Sequence, residues 1–593
     1  MTPDVQRPSG QQPATGTGLA GLLRPGQSSR KDVTRDVVLL LCLGVVLLAP
    51  GLGLRDPWPA DEPRFALIAR DMVESGQWLF PQVGGDLYQD KPPVFFWSIA
   101  AGYLVTGSLR LAFLLPSLLA GLGTLWLVYD LGRRAWSRET GLASAVLLAL
   151  SVQFVIQARV AQIDMLLTFF TTAALYGIGR HLLAGPDWRA YAAGGFAAGI
   201  GVITKGTGFL PLLMLLPYFL LRRAGFAGLW TGAGGAKWWL APAAALAGIA
   251  LWLVPMVLAV AISGDPRLAA YRDEILLQQT VTRYAASWAH HAPWYYFLVE
   301  VIPPLWLPGT LLLPWLVPRW RDAWRARDGR EGLLLGWILL VVLFFSASPG
   351  KRGVYVLPAL PAFALAAGPF LADLWARRWV QRALFWLAAL VPLVAGLAVA
   401  YLGVLRPDKM AELADRYDVT SLAPLGAVAI AGAVVLAWLR PGRGVLAWAA
   451  VLALVTWIQG FWINPMINGA RSGRDFVATV ERAASPGSEL GFLAYREQYL
   501  LYLTRPITNF GHRRVLREGE QEVDDGARWL NAAPGRELVV DDVRRQQCFA
   551  AAPAKSLGHA NRRDWFLVAP PADAACAARG DPEAVLVYVP PRR

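Results

Sequence analysis

Two aspartates stand where this long apolar chain can do chemistry. Asp61, with Glu62 and Arg64 beside it, follows the first apolar run, and Asp164 lies between two further apolar runs. A partly desolvated carboxylate can act as a general base, and nearby cations tune its pKa. An aspartate isolated among membrane-spanning runs is costly and is a functional candidate, although Asp164 can equally be a helix N-cap. The pattern favours acid–base or electrostatic chemistry at one face of a membrane.

Basic residues that can hold an anion are predicted on the same side. Lys91 precedes two prolines, which force an extended entry into the next apolar stretch. Lys351 and Arg352 lie in a loop predicted to be outside, where basic residues are uncommon, and Arg283 lies in a long outer loop. Arginine and lysine at such places are typical of a phosphate site. The alternative for Lys351 and Arg352 is an error in the predicted orientation.

The composition restricts the class of protein that must position these residues. The chain has 593 residues, of which 55% are hydrophobic and only 17% are charged, against roughly 25% charged in soluble domains. So few charges cannot cover the surfaces of several soluble domains. A disordered chain is also excluded, because disorder needs low hydrophobicity and high charge. The sequence therefore predicts a polytopic α-helical membrane protein. Its net charge of +14 mostly marks short cytoplasmic loops, and no nucleic-acid partner is expected.

Span length and the placement of basic loops predict 13 transmembrane helices, with the N-terminus cytoplasmic and the C-terminus outside. Residues 1–35 are expected to be a disordered cytoplasmic tail, and residues 36–463 the transmembrane domain. The first outer loop, 55–108, contains an amphipathic helix and a short apolar helix at the interface. The predicted spans cover about 36–54, 109–131, 139–158, 162–184, 190–204, 207–221, 238–262, 293–318, 331–347, 354–376, 383–404, 421–439 and 444–463.

Residues 464–593 are predicted to form a small outer domain of α/β or α+β type. Short β-rich runs such as 538–540, 566–568 and 584–589 alternate there with polar helical stretches. Cys548 and Cys576 are 28 positions apart in this domain. If the domain lies outside the cytoplasm a disulfide is plausible, and two unpaired thiols are the alternative.

Several motifs resemble those of a known family. The segment Asp61–Ala66 is similar to the Asp-Glu-x-Arg-Tyr-Ala motif of the bacterial aminoarabinose lipid A transferases. These belong to the protein-O-mannosyltransferase-like superfamily with the GT-C fold (glycosyltransferase families 39 and 83). Further similar segments are Glu74–Trp78, Tyr88–Pro93, Gln162–Asp164 and Lys351–Pro358. The resemblance covers most of residues 36–463.

The resemblance implies roles for individual residues. It implies that Asp61 and Asp164 are catalytic. It also implies that the phosphate of the carrier lipid is held by Arg64, Lys91, Arg283 and Lys351 or Arg352. The full set expected to bind substrate is Glu62, Arg64, Tyr88, Asp90, Lys91, Arg283, Lys351, Arg352 and Tyr355. The chain departs from the family where Asp90 replaces a glutamate and where 279–284 lacks a histidine. No cofactor is therefore expected, with a divalent metal as the open alternative.

The function expected from this resemblance is an inner-membrane glycosyltransferase with a periplasmic active site. It would move a pentose or hexose from undecaprenyl phosphate to lipid A, lipopolysaccharide or another glycolipid. The alternatives are a protein O-mannosyltransferase-type enzyme, a lipid-linked sugar transporter or flippase, and a membrane-anchored assembly protein. A transporter would favour charges near the bilayer midplane, whereas this sequence places them at the outer ends of the helices.

Overall fold

The computed structural model describes residues 30–276, 291–511 and 519–590. The part that precedes residue 472 is almost entirely helical, and the C-terminal part contains a mixed β-sheet. The first helix already begins at residue 30, so residues 30–35, which were predicted to belong to a disordered tail, are helical. Asp36 and Arg138 explain this early start, because their ion pair anchors the first turns of that helix to the rest of the bundle.

The helical part begins with helices that bracket the first loop and build the centre of the bundle. They are α1 (Arg30–Leu48), α2 (Glu62–Ser75), α3 (Val94–Thr106), α4 (Leu109–Ala112), α5 (Leu115–Ala135), α6 (Arg138–Ala149), α7 (Val152–Ala158), α8 (Ile163–Leu183), α9 (Trp188–Lys205), α10 (Leu215–Arg223), α11 (Leu240–Ser263) and α12 (Pro266–Asp273).

The remaining helices of this part are α13 (Ile302–Leu305), α14 (Leu313–Arg325), α15 (Gly329–Ala347), α16 (Leu360–Ala376), α17 (Arg378–Ala400), α18 (Pro407–Tyr417), α19 (Ala423–Leu439), α20 (Gly444–Ile458), α21 (Asn464–Met466) and α22 (Asn468–Arg471). Short 3-10 or π segments join them at Thr207–Met214, Gly235–Trp239, Phe297–Val301, Thr310–Leu312, Gly353–Ala359, Tyr401–Leu405, Pro441–Arg443 and Gln459–Ile463. Each of the thirteen apolar segments predicted from sequence contains helical residues.

Fewer helices than thirteen satisfy a strict test of length and hydropathy. Within the described residues six continuous helices are long and apolar enough to cross a membrane, or eight if two bent pairs each count as one span. The six are Leu109–Ala135, Gly235–Ser263, Gly329–Ala347, Gly353–Ala376, Arg378–Leu405 and Pro441–Met466. The chain is therefore a helical, multi-pass membrane protein.

The two bent pairs meet at their breaks. One pair, α6 and α7, bends by 67°, and the other, from Phe297 to Arg325, bends by 103°. The amide of Val152, at the first break, donates to the carbonyl of Leu307, at the second, at 3.0 Å. Non-helical backbone is tolerated at membrane depth only where its polar groups find partners inside the protein. Each break therefore supplies a partner that the other needs.

Small residues let α9 and α11 pack closely. A Cβ atom added to Gly195 would lie 2.1 Å from the carbonyl oxygen of Ala241, and one added to Gly199 would lie 2.1 Å from that of Ala245. Small residues at such crossings are typical of membrane helices, because helix association there depends on close van der Waals packing. This packing fixes α9, whose last residue, Lys205, belongs to the candidate site described below.

The C-terminal part contains a six-stranded sheet in the order β6-β7-β5-β3-β4-β8, preceded in the chain by the hairpin β1 (Gln82–Val83) and β2 (Asp86–Leu87) of the first loop. β3 pairs in parallel with β4 and β5, and the other pairs are antiparallel. The strands are β3 (Glu489–Phe492), β4 (Ile507–Asn509), β5 (Arg536–Asp541), β6 (Ala554–Ala560), β7 (Arg563–Val568) and β8 (Leu586–Tyr588). The helices are α23 (Arg474–Ala483), α24 (Glu497–Leu500), α25 (Gly519–Asn531), α26 (Asp542–Cys548) and α27 (Ala574–Arg579). The α/β character predicted for this region is thus observed.

Cys548 and Cys576 form a disulfide that joins α26 to α27, with their Cα atoms 6.0 Å apart. Asp524 lies beside them, and this is the one group of three metal-ligating side chains found among the described residues. Because both sulfurs are already bonded to each other, the group is not a cation site. The described part of the chain therefore offers no support from this group for the alternative of a divalent metal.

Loss of this disulfide is expected to destabilise the C-terminal part by about 3–4 kcal/mol, the loop-closure value for a 28-residue separation. Limited proteolysis across a urea gradient, with and without reductant, measures this effect. Cys42→Ser is the matched control, because Cys42 is an exposed free cysteine. Equal urea midpoints for Cys548→Ser and wild type would contradict the expectation.

Candidate active site

A cavity of about 420 Å³ opens beside Asp61, where the first loop meets the ends of several helices. The carboxylate of Asp61 is 22% exposed and lies 4.0 Å from Arg64. Apolar residues from α1, α5, α7 and α20 form much of the wall, among them Leu48, Leu118, Val155, Leu452 and Val455. We call this space the Asp61 cavity. It combines an apolar wall with a polar end that carries a carboxylate.

Glu62, although next to Asp61, is bound inside the protein. It forms a bidentate ion pair with Arg55, whose Nη2 lies 2.7 Å from Oε1. It also accepts hydrogen bonds from the backbone amides of Trp58 at 2.9 Å and Ala161 at 3.0 Å. A buried carboxylate with this many donors joins the first loop to the segment before Asp164. Glu62, which the sequence predicts to bind substrate, is therefore held by protein groups at the wall of the Asp61 cavity.

Two arginines that the sequence reasoning missed line the Asp61 cavity. Arg159 donates to the carbonyl oxygens of Leu47 at 3.2 Å and Thr456 at 2.9 Å. The guanidinium of Arg471 lies over the ring of Trp58, 4.8 Å from its centroid. In the described part of the chain neither arginine makes an ion pair with a carboxylate. Arg159 interrupts an apolar region just as Asp164 does, so the same signal would have identified it.

Asp164 lines a second, smaller cavity of about 190 Å³, which we call the Asp164 cavity. Arg352 and Gln153 also line it, and Gln153 is held there by a 2.8 Å hydrogen bond from the indole of Trp306. Gln162 and Ile156 line both cavities. The two aspartates selected from sequence therefore lie in adjoining spaces with shared walls.

Lys205 is the partner of Asp164 and was also missed. Its ammonium forms an ion pair with Oδ1 of Asp164, and it lies over the ring of Tyr355, 4.7 Å from the centroid. The side chains of both charged residues are largely buried, at 15% and 11% exposure. Asp164 makes no side-chain hydrogen bond that would mark it as an N-cap of α8, where Gln162 holds the cap position. The ion pair replaces the N-cap interpretation.

The basic pair Lys351 and Arg352 is divided between two tasks. Lys351 is buried, and its ammonium donates to the carbonyl oxygens of Ser348 at 2.5 Å and Ala292 at 2.9 Å. The carbonyl of Ser348 lies at the C-terminal end of α15, where cations are favoured. Arg352 is exposed and faces the Asp164 cavity. Of the two, only Arg352 is available to an anion.

Three of the remaining predicted residues, Arg64, Tyr88 and Asp90, interact with one another near Asp61. Nε of Arg64 donates to Oε1 of Glu497 at 2.6 Å, and the guanidinium lies 5.9 Å from the ring centroid of Tyr88. Burial raises the pKa of Tyr88 above its ordinary value, so its hydroxyl stays protonated. Lys91 donates to the backbone carbonyl of Asp90 at 3.0 Å. Arg283 lies outside the described residues.

Asp56 connects this cluster to the C-terminal part. It is fully buried and accepts hydrogen bonds from Arg110 at 2.7 Å, Ser472 at 2.8 Å, Arg474 at 3.2 Å and Asn468 at 3.1 Å. Burial alone would raise its pKa, but these donors hold the pKa of Asp56 well below its usual range. The first loop and the start of the C-terminal part are therefore joined a few residues before Asp61.

Comparisons with known proteins agree with this architecture. The family model described as dolichyl-phosphate-mannose-protein mannosyltransferase matches residues 90–254. The undecaprenyl phosphate-α-4-amino-4-deoxy-L-arabinose arabinosyl transferase of Pseudomonas aeruginosa is 33% identical over 432 residues, 71% of this chain and 74% of that protein. A protein of the same description from Pseudomonas paraeruginosa is 34% identical with the same coverage. The crystal structure of ArnT from Cupriavidus metallidurans bound to undecaprenyl phosphate has a TM-score of 0.71 at 20% identity, covering 91% of this chain and 98% of that chain.

Proposed function

Because this chain belongs to the family of undecaprenyl phosphate-α-4-amino-4-deoxy-L-arabinose arabinosyl transferases, it is a membrane glycosyltransferase, and we propose that it glycosylates a phosphorylated lipid such as lipid A. The observation that supports this function is the pair of adjoining cavities, each with one aspartate and at least one arginine. A donor and an acceptor must meet at one reacting carbon, and two spaces that share Gln162 and Ile156 provide such a meeting point.

In this proposal the Asp164 cavity takes the sugar phosphate of the undecaprenyl phosphate donor. Arg352 faces that space, and the ammonium of Lys205 lies at its edge beside Asp164. As the acceptor oxygen attacks the anomeric carbon, the bond from that carbon to the phosphate oxygen breaks and the electron pair leaves with undecaprenyl phosphate. The growing negative charge is stabilised by fixed cations, which is the largest contribution expected in such a site. Lys91 and Arg283 are proposed to assist on the donor side.

The Asp61 cavity takes the acceptor. Its apolar wall suits acyl chains, and Arg159 and Arg471 suit a phosphate, because arginine binds phosphate with two parallel hydrogen bonds. Asp61 removes a proton from an acceptor hydroxyl, or orients the acceptor if its nucleophile is a phosphate oxygen that needs no deprotonation. Inversion at the sugar carbon follows from attack opposite the leaving phosphate.

The topology proposed with this function has 13 spans, a cytoplasmic tail of residues 1–35 and a transmembrane domain of residues 36–463. Residues 464–593 form the proposed periplasmic domain. Every strongly basic short loop except 351–352 falls on the cytoplasmic side in this arrangement. The interior role of Lys351 supports the arrangement, because a lysine that binds backbone carbonyls is no counterexample to the rule for exposed loops.

A reconstitution assay tests the function. Purified full-length protein in lipid nanodiscs is given undecaprenyl phosphate-aminoarabinose together with lipid A, and mass spectrometry follows both lipids. We expect lipid A to gain the mass of the sugar while undecaprenyl phosphate is released. An acceptor peptide in parallel reactions tests the mannosyltransferase-type alternative suggested by the match to residues 90–254. Donor uptake into sealed vesicles without any covalent product would instead indicate a transporter and overturn the proposal.

A further inference from the structure

A residue of the C-terminal part reaches the proposed active site. Glu497 begins the short helix α24, which follows the central parallel strand β3. Its side chain is only 9% exposed, and Oε1 accepts the 2.6 Å hydrogen bond from Nε of Arg64. Arg64 in turn lies 4.0 Å from Asp61. The two ends of this contact are 433 positions apart in the chain.

The turn that carries Glu497 is itself held in place. Ala494 has a φ of +50°, a left-handed conformation that is unfavourable for residues with a side chain. Its amide donates to Oε1 of the buried Glu522 at 2.7 Å. In α/β proteins the carboxyl ends of parallel strands are where functional loops concentrate. Here the loop after β3 is fixed in an unusual conformation that directs Glu497 toward α2 of the first loop.

Docking of the C-terminal part does not depend on Glu497 alone. Arg70 of α2 donates to the carbonyl of Leu501 at 2.9 Å and also contacts Tyr588. Asn509 donates to the carbonyl of Gly84 at 3.0 Å. The hydrogen bonds to Asp56 described above make a third contact. The C-terminal part is therefore attached to the first loop by several contacts besides the hydrogen bond between Glu497 and Arg64.

We infer that Glu497 is a positioning residue for the transfer reaction: it binds the guanidinium of Arg64 and so keeps that cation from closing onto the carboxylate of Asp61. This inference rests on the proposed function, in which Asp61 acts on the acceptor. Charge-assisted hydrogen bonds are short and strong. Arg64 makes such a bond with the carboxylate of Glu497, at 2.6 Å, and not with that of Asp61, at 4.0 Å. With Glu497 in that place, Asp61 keeps its oxygens available to the cavity.

The charged and titratable groups around Asp61 define what a pH measurement would report. Arg64 lies 4.0 Å from Asp61 and interacts electrostatically with Glu497 and Tyr88, and Tyr88 interacts in turn with Asp61 and Asp90. The other charged side chains at the same cavity are Arg55, Glu62, Arg159 and Arg471. Neutralising Glu497 removes its charge-assisted hydrogen bond to Arg64. A change in the acid limb of the rate profile would therefore report the movement of Arg64.

The test compares Glu497→Gln, Glu497→Asp and the matched control Asp71→Asn. Asp71 is also a carboxylate at this interface, but it pairs with Arg70 and Tyr588 instead of Arg64. In the nanodisc assay we expect Glu497→Gln to lower kcat about tenfold, less than the loss of a group that itself contacts the reacting atoms, with the donor KM unchanged. The acid limb of its kcat profile should move to lower pH, because the guanidinium of Arg64 then lies against the carboxylate of Asp61. Glu497→Asp should restore most of the activity.

The outcomes separate this inference from the proposed function. A Glu497→Gln protein with the same small loss as Asp71→Asn and an unchanged pH profile would overturn the positioning role, even if Asp61 proves essential. Wild-type protein that forms no glycosylated lipid would overturn the proposed function instead. In the double variant Arg64→Gln/Glu497→Gln the acid limb should return toward its wild-type position, since the cation that moved is gone. A limb that stays displaced would contradict the role given to Arg64.

Discussion

Asp61→Asn protein is expected to lose sugar transfer by about a thousandfold while folding like the wild type. A positioned acid–base group contributes about 10²–10⁴-fold to a rate, and the amide can neither take a proton nor orient the acceptor as an anion. The fold should tolerate the change. Although Asp61 holds the N-cap position of α2, it makes no side-chain capping hydrogen bond, and its contact with Arg64 is a loose 4.0 Å.

Initial rates of glycosylated lipid A formation in nanodiscs, with melting curves of the same preparations, measure this prediction. Glu74→Gln is the matched control, because Glu74 lies on the same helix but is exposed. It should retain wild-type rates. Transfer by Asp61→Asn at more than about a tenth of the wild-type rate would remove Asp61 from the chemistry, since a catalytic carboxylate contributes far more than this. A lower melting temperature with proportionate loss of activity would show that its role is structural.

The sequence was sufficient to find the helices and the two aspartates, for a local reason. Runs of apolar residues and isolated charges within them are visible over about 20 positions, the length of one span. Asp61 and Asp164 each interrupt such a pattern, and the structure places both in cavities that share walls. The disulfide was left open because two cysteines 28 positions apart do not reveal their own distance.

The partners of these aspartates could not be predicted, because they come from remote segments. Lys205 is 41 positions from Asp164, at the end of a span that is marginal in length. Glu497 belongs to a separate sheet, and no local pattern relates it to Arg64. The contacts of Lys351 could not be predicted either. Its charge in an outer loop favoured an anion site, whereas its ammonium binds two backbone carbonyls in the interior, that of Ser348 at the end of α15 and that of Ala292.

Lys205→Gln protein is expected to be less stable and to transfer sugar about a hundredfold more slowly. Removing one partner of a buried ion pair leaves the other charge uncompensated, which typically costs about 3–5 kcal/mol. Asp164 would then be a buried carboxylate without its cation, and the donor phosphate would lose the ammonium beside Tyr355. The melting temperature and kcat/KM for the undecaprenyl phosphate sugar are the two quantities to measure.

The double variant Asp164→Asn/Lys205→Gln distinguishes the two causes. It removes both charges, so no uncompensated ion remains and the melting temperature should recover toward that of the wild type. Transfer should stay low, because the charges that act on the donor are missing. If activity recovered together with stability, the pair would be a structural contact, and Arg352 would be the remaining cation of the Asp164 cavity to carry the donor phosphate. Recovery of stability alone would assign the pair to the reaction, since a merely structural ion pair can be replaced by two neutral side chains.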